Sequence, residues 1–241
     1  MSENPGIEPN AHSREVGGFA DAYDEEITKL SFRELQNLAK WTNGHGLEVY
    51  LIGGWAAWRY HAGLGSRDVD VVFPDARIKD RFFGMFCPAN HFAKVALLGL
   101  DRFRKSVATP RREEWIDIDA LSMEDRFPFH EDHGKDIPFR LLPERHRSWD
   151  LGGAMVRIPE PELLMMMKIK AFRDRRWDLE RKGLAPIESQ YLRGKIWKDE
   201  QDIRGIFPHV LDTAAFWDIA EQQSVRPMVE NALAELGLIL R

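Results

Sequence analysis

Gly65-Ser66-Arg67-Asp68-Val69-Asp70-Val71-Val72 is the stretch on which the reading of this chain turns. Val69, Val71, Val72 and the following Phe73 are strand formers, so the run is extended, and Asp68 and Asp70, one residue apart, project from one face. Two like charges held side by side require a cation. Magnesium suits such a site because it takes oxygen ligands and is usually held by one or two carboxylates plus substrate phosphates. Working outward, Leu47 to Ile52 reads as a short apolar strand that runs into Gly53-Gly54 and then Trp55-Ala56-Ala57-Trp58, giving strand, tight turn and helix. Glycine lets the backbone approach a ligand, and the helix it opens offers unpaired N–H groups and partial positive charge to a phosphate. An isolated Asp-x-Asp occurs on many solvent-facing strand edges and an isolated Gly-Gly is a plain turn. Their combination in this order points to a phosphate cradle beside a metal-holding pair.

Further along, Glu114-Trp115-Ile116-Asp117-Ile118-Asp119-Ala120-Leu121 alternates as a strand does, placing Asp117 and Asp119 on the same face. Either could supply a third carboxylate, and alternation does not separate them; a merely solvated strand face is the plainer reading. Pro161 to Met167 is apolar on all sides, which on a helix means burial, and Lys168 follows one turn after Leu164. This lysine either snorkels at the start of a wetter half that continues with Lys170, Arg173, Arg175 and Arg176, or it meets an anion. In Lys198-Asp199-Glu200-Gln201-Asp202-Ile203 the two aspartates lie three apart on a helix, where Asp near the start is ordinary dipole complementarity, and Asp202 reads as a packing or capping residue.

These segments resemble the nucleotidyltransferase superfamily that includes DNA polymerase beta. Gly53-Gly54-Trp55-Ala56 followed by Ser66-Arg67-Asp68-Val69-Asp70 looks most like the AbiEii and MenT type toxin nucleotidyltransferases, over roughly residues 47 to 207. Gly53 to Ala56 is also similar to aminoglycoside and lincosamide modifying enzymes. The resemblance implies an α+β fold, a small mixed β-sheet core with a helical C-terminal half. It implies Asp68, Asp70 and a third acid holding one or two Mg²⁺; the segment Asp119-Ala120-Leu121-Ser122 is the better match, with Asp117 as alternative. Gly53, Gly54, Ser66 and Lys168 would bind the NTP, and Asp199 is carried over as an active-site residue. The implied acceptor is the 3′ end of tRNA, with an antitoxin protein as partner. The alternatives are a small antibiotic-like acceptor and a non-catalytic nucleotide-binding relative. Leu64-Gly65-Ser66 departs from the family's Arg-x-Thr form at that position.

Residues 1–24 are polar and aperiodic, a mobile tail; 25–158 would form the catalytic core and 159–241 a helical domain completing the site. Ser31-Phe32-Arg33-Glu34 fits a capping box opening a helix that ends at Asn43-Gly44, another helix falls around Arg77 to Phe86, and a strand at Ala154 to Ile158. From Glu160 the period is helical, over about 160–182, 195–207, 212–223 and 227–239. The 241 residues are 44% hydrophobic with eight Trp, enough for a sizeable core, and the single Cys87 excludes an internal disulfide. The eight histidines are scattered, and His130-Glu131-Asp132-His133 reads as a surface loop rather than a zinc site. No apolar run approaches the roughly eighteen residues of a membrane span, and the start of the chain lacks a signal-peptide pattern, so a cytoplasmic protein is expected. Net charge is −5, yet Arg102, Arg104, Lys105, Arg111 and Arg112 fall in one segment and Lys168, Lys170, Arg173, Arg175, Arg176, Arg181 and Lys182 in another. If these converge on the acidic site they make a groove for a phosphodiester backbone; otherwise they solvate exposed faces.

Overall fold

The strand β2 (Val69–Phe73) runs through the middle of the molecule. Val69, Val71, Val72 and Phe73 are fully buried, as the near-continuous apolar run of a strand covered on both faces requires. The computed structural model describes residues 25–63, 65–97, 100–110, 113–180 and 183–240. The tail expected over 1–24, Leu64, and the basic residues Arg111, Arg112, Arg181 and Lys182 lie outside them.

Seven strands form one mixed sheet among the described residues: β1 (Tyr50–Leu51), β2, β3 (Ala93–Leu97), β4 (Leu100–Ala108), β5 (Glu113–Ser122), β6 (His146–Asp150) and β7 (Met155–Pro159), in the order β3-β4-β5-β2-β1-β7-β6. β2 pairs antiparallel with β1 and parallel with β5, where Asp70 lies opposite Asp119. β1 is shorter than the expected Leu47 to Ile52 strand; Tyr50 and Leu51 pair with Val72 and Val71, and Ile52 N–H donates to the Asp70 carbonyl at 2.9 Å. The chain turns at once into α2 (Gly53–Tyr60). The helices α1 (Glu25–Gly44) and α3 (Ala76–Ala89) pack on the sheet, the ring of Phe82 in α3 lying tilted with its centre 5.0 Å from that of Phe73. Asp75 caps α3 by accepting from Ile78 N–H at 2.8 Å.

Two helix starts differ from the sequence reading. α1 begins at Glu25, with Glu25 and Glu26 complementing its dipole, so Ser31 is not a cap. Ser31 is buried mid-helix, where its hydroxyl accepts from Trp55 Nε1 at 3.1 Å, and Glu34 pairs with Lys105 at 2.7 Å. Tertiary contacts take both side chains that a capping box would use locally. After β7 come α4 (Pro161–Glu180), α5 (Pro186–Ile206), α6 (Thr213–Gln222) and α7 (Arg226–Glu235). α5 starts well before residue 195 because Pro186 is pre-set for a first helical turn and the Glu188 carboxylate accepts from Ala185 N–H at 2.9 Å. The leading half of α4 is buried all round through Leu163, Leu164, Met165, Met166 and Ile169, and α2 packs against both α4 and α5. That packing brings the glycine turn under the two long helices. Among the described residues no helix is long and apolar enough to cross a membrane.

Candidate active site

Gly53 has φ +67°, a backbone conformation open to glycine, and a Cβ there would lie 2.0 Å from Asp70 Oδ2. The turn therefore presses directly on the carboxylate of β2. At Gly54 a Cβ would lie 2.5 Å from Lys198 Nζ and 2.9 Å from Ser66 Oγ. Backbone, hydroxyl and ammonium thus converge at the start of α2, the arrangement that takes up a phosphate. The absence of two Cβ atoms is what allows Asp70, Ser66 and Lys198 to come this close to the turn.

Asp68 sits one residue ahead of β2 rather than within it. Lys195 Nζ of α5 approaches its Oδ2 at 3.3 Å and Arg67 Nε stands 3.7 Å from its Oδ1. Burial works to raise this carboxyl, and Lys195 and Arg67 overcome it, leaving Asp68 below the ordinary value. Its Oδ1 is buried without a hydrogen-bond partner among the described residues. Asp70 goes the other way: burial, then the charges of Asp119 and Asp68, push it up to about 6. Asp119 is raised by burial against the pull of Arg102.

On β5 both candidates for the third carboxylate are engaged by β4. Arg102 grips Asp119 with two N–H groups at 2.6 Å each, and Arg104 grips Asp117 at 2.7 and 2.8 Å. Asp119 is the one aligned with Asp70, and Asp117 lies two residues further from it. Among the described residues no group of three His, Cys, Asp or Glu side chains is gathered closely enough to hold an ion by itself. The donor set nonetheless fits magnesium, which needs only one or two carboxylates beside phosphate oxygens, and the Asp68 Oδ1, buried without a hydrogen bond, is the atom such an ion would satisfy.

Lys168 and Asp199 meet each other at 3.7 Å, and Lys168 meets Asp202 at 2.6 Å. Asp199 is also paired with Arg175 of α4. Asp199 therefore belongs to a buried charge cluster between α4 and α5, and Lys168 reaches Asp70 only through its field. Asp202 is more than a capping residue: Lys168, Lys198 and His61, whose Nε2 lies 3.3 Å away, hold it well below the usual range against the effect of burial. Burial lowers Lys198 to about 8. Lys195 and Lys198 were not singled out in the sequence, although Lys195, Lys198 and Asp202 recur at helical spacing and so declare one charged face of α5.

The described members of the two basic segments are paired within the chain rather than left open to a polyanion. Arg102, Arg104 and Lys105 are paired with Asp119, Asp117 and Glu34. Lys168, Lys170, Arg173, Arg175 and Arg176 are paired with Asp202, Asp174, Glu131, Asp199 and Glu235. Each described member is committed to a carboxylate of the same chain. The His130 to His133 segment is a loop, where Glu131 serves as that partner of Arg173.

No family model matches the chain, and no curated protein does. Among solved structures it is similar to an antigenic nucleotidyltransferase-like protein from Paracoccidioides brasiliensis, at 15% identity and TM-score 0.46 over 88% of this chain and 94% of that one. It is also similar to the antibiotic-resistance factor ANT(2'')-Ia, at 11% identity and TM-score 0.42 over 81% of this chain and 97% of that one. Likeness at this level does not decide chemistry, which the residues of the site must carry themselves.

Proposed function

We propose that the protein transfers a nucleoside monophosphate from an NTP to an acceptor hydroxyl, with Mg²⁺ as cofactor and pyrophosphate as leaving group. The observation that carries this reading is the junction at Gly53-Gly54, where Asp70 lies against one glycine and Ser66 and Lys198 against the other. Carboxylates for a cation and a backbone cradle for phosphate are there contiguous.

Asp68 and Asp70 would hold the metal, with Asp119 the better-placed third carboxylate and Asp117 the alternative. Bound there, the ion would stabilise charge on the attacking and departing oxygens. The glycine backbone and Ser66 orient the outer phosphates, and the start of α2 adds its partial positive charge. Lys195 and Lys198 offset charge along the polyphosphate, while Asp202 and Lys168 hold α5 and α4 in register behind them. Asp199 acts through the same buried cluster. Positioning and electrostatics carry most of the acceleration in phosphoryl chemistry, so no covalent nucleophile is required.

Two classes of acceptor hydroxyl are compatible with this chemistry. The tRNA 3′ end, with a toxin role and an antitoxin partner, is supported by the resemblance of the Gly-Gly and Ser-x-Asp-x-Asp segments. A small hydroxylated molecule is favoured by a specific observation, the internal pairing of the described cations on β4 and α4, which leaves those described cations less charge to offer a polyanion.

The test is incubation with Mg²⁺ and each α-labelled NTP, with total tRNA in one arm and a panel of aminosugars and other hydroxylated small molecules in the other, alongside Asp70→Ala. Label that only the wild type transfers supports the reading, and the labelled arm names the acceptor class. Transfer retained by the folded variant contradicts it, and nucleotide binding without transfer to any acceptor identifies a non-catalytic relative.

A further inference from the structure

Tyr191, Lys195, Lys198 and Asp202 follow one another at intervals of four, three and four residues, which places them on one face of α5. The face runs from solvent into the site. Tyr191 is 58% exposed, whereas Lys198 and Asp202 are 7% and 4% exposed. Lys195 Nζ reaches Asp68 at 3.3 Å, Lys198 closes the Gly54 cradle, and Asp202 binds Lys168. Every member but Tyr191 already has its partner in the site.

We propose that Tyr191 is the shelf on which the base of the bound nucleotide stacks, so that the α5 face takes the nucleotide end to end. This rests on the nucleotide reading of the site given above. Phosphates lie at the inner end on Lys198 and Lys195, and the nucleoside points outward along the helix. From Lys198 to Tyr191 the helix advances about 10 Å at 1.5 Å per residue, comparable with the reach from a nucleotide's middle phosphate to its base. Lys195 Nζ stands 5.6 Å from the centre of the Tyr191 ring, so one cation links the shelf to Asp68. Beside the ring lies an open surface hollow of about 680 Å³, lined also by Leu184, Ile187 and Leu192 and edged by Asp178 and Glu188.

Trp115, an exposed aromatic on β5, is flanked by two guanidinium groups, whereas Tyr191 meets a single ammonium and is more exposed. Arg67 and Arg104 place their guanidinium carbons 5.2 and 4.7 Å from the Trp115 ring centre. Tyr191 offers a stacking face with no hydrogen-bonding code, because every base has a π face, so it holds any of the four bases and does not choose among them by edge recognition.

Isothermal titration of the full chain in Mg²⁺ with each NTP, and separately with inorganic tripolyphosphate, tests this on wild type, Tyr191→Ala and Tyr191→Trp, with circular dichroism confirming that each is folded. Tyr191→Ala should weaken every NTP about fivefold or more and leave tripolyphosphate unchanged, and Tyr191→Trp should restore NTP affinity. An unchanged NTP affinity in Tyr191→Ala, or a parallel loss of tripolyphosphate, overturns the shelf alone. If the wild type binds neither ligand, the nucleotide reading itself is wrong and the shelf falls with it.

Discussion

Lys198 shows how far one side chain's chemistry depends on its neighbours. Burial lowers it to about 8, Lys168 and Lys195 push in the same direction, and Asp202 and Asp70 hold it up. Below pH 8 the group is charged both free and bound, so affinity for a polyphosphate should be flat. Above it, binding must first recharge the amine, and affinity should fall as pH rises, by up to about tenfold per unit for one proton. Metal-free titration with tripolyphosphate at several pH values from 7 to 9, compared with Lys198→Arg, measures this. The arginine stays charged throughout, so the variant should lack the part of the slope that belongs to Lys198. Identical slopes in the two proteins would remove Lys198 from the phosphate cradle.

At the scale of elements, the turn between β1 and α2 decides whether a site exists. Gly53→Ala brings a methyl against the Asp70 carboxylate in a left-handed backbone conformation, and should cost about 1–3 kcal/mol and displace Asp70. Gly44→Ala, where a Cβ meets nothing within 4 Å, should leave both stability and binding intact. Thermal melts and nucleotide titrations of the pair decide it; a Gly53→Ala protein with native melting and binding would show that the close approach is immaterial. This turn was legible in the sequence because glycine next to a strand has a local cause. The same holds for the Asp68 and Asp70 segment and the alternation around Asp117 and Asp119. The start of α1 was not legible, because Ser31 and Glu34 satisfy Trp55 and Lys105 instead of their own helix end. Nor was the role of Asp202, whose partners Lys168 and His61 come from distant segments. Spacing placed Asp117 and Asp119 together, and only pairing of β2 with β5 sets Asp119 beside Asp70.

On the scale of the whole molecule, a large share of the buried charge among the described residues gathers around one centre. Arginines of β4, lysines of α5 and the cluster between α4 and α5 surround the carboxylates of β2 and β5, and most of these cations are shared out to acids of the chain. A protein organised only for stability would gain by replacing buried charges with packed apolar groups, since desolvation offsets much of an ion pair's attraction. Retaining Asp68, Asp70 and Asp119 together is intelligible if a divalent cation and a polyphosphate complete the balance. The most direct measurement is therefore Mn²⁺ binding by electron paramagnetic resonance, with Mn²⁺ standing in for Mg²⁺, in the presence and absence of an NTP analogue that cannot release pyrophosphate. It needs no knowledge of the acceptor. Wild type should bind Mn²⁺ tightly only with the nucleotide, and folded Asp70→Asn should lose that binding. Absence of nucleotide-dependent Mn²⁺ binding by the wild type, or its persistence in Asp70→Asn, would contradict the account.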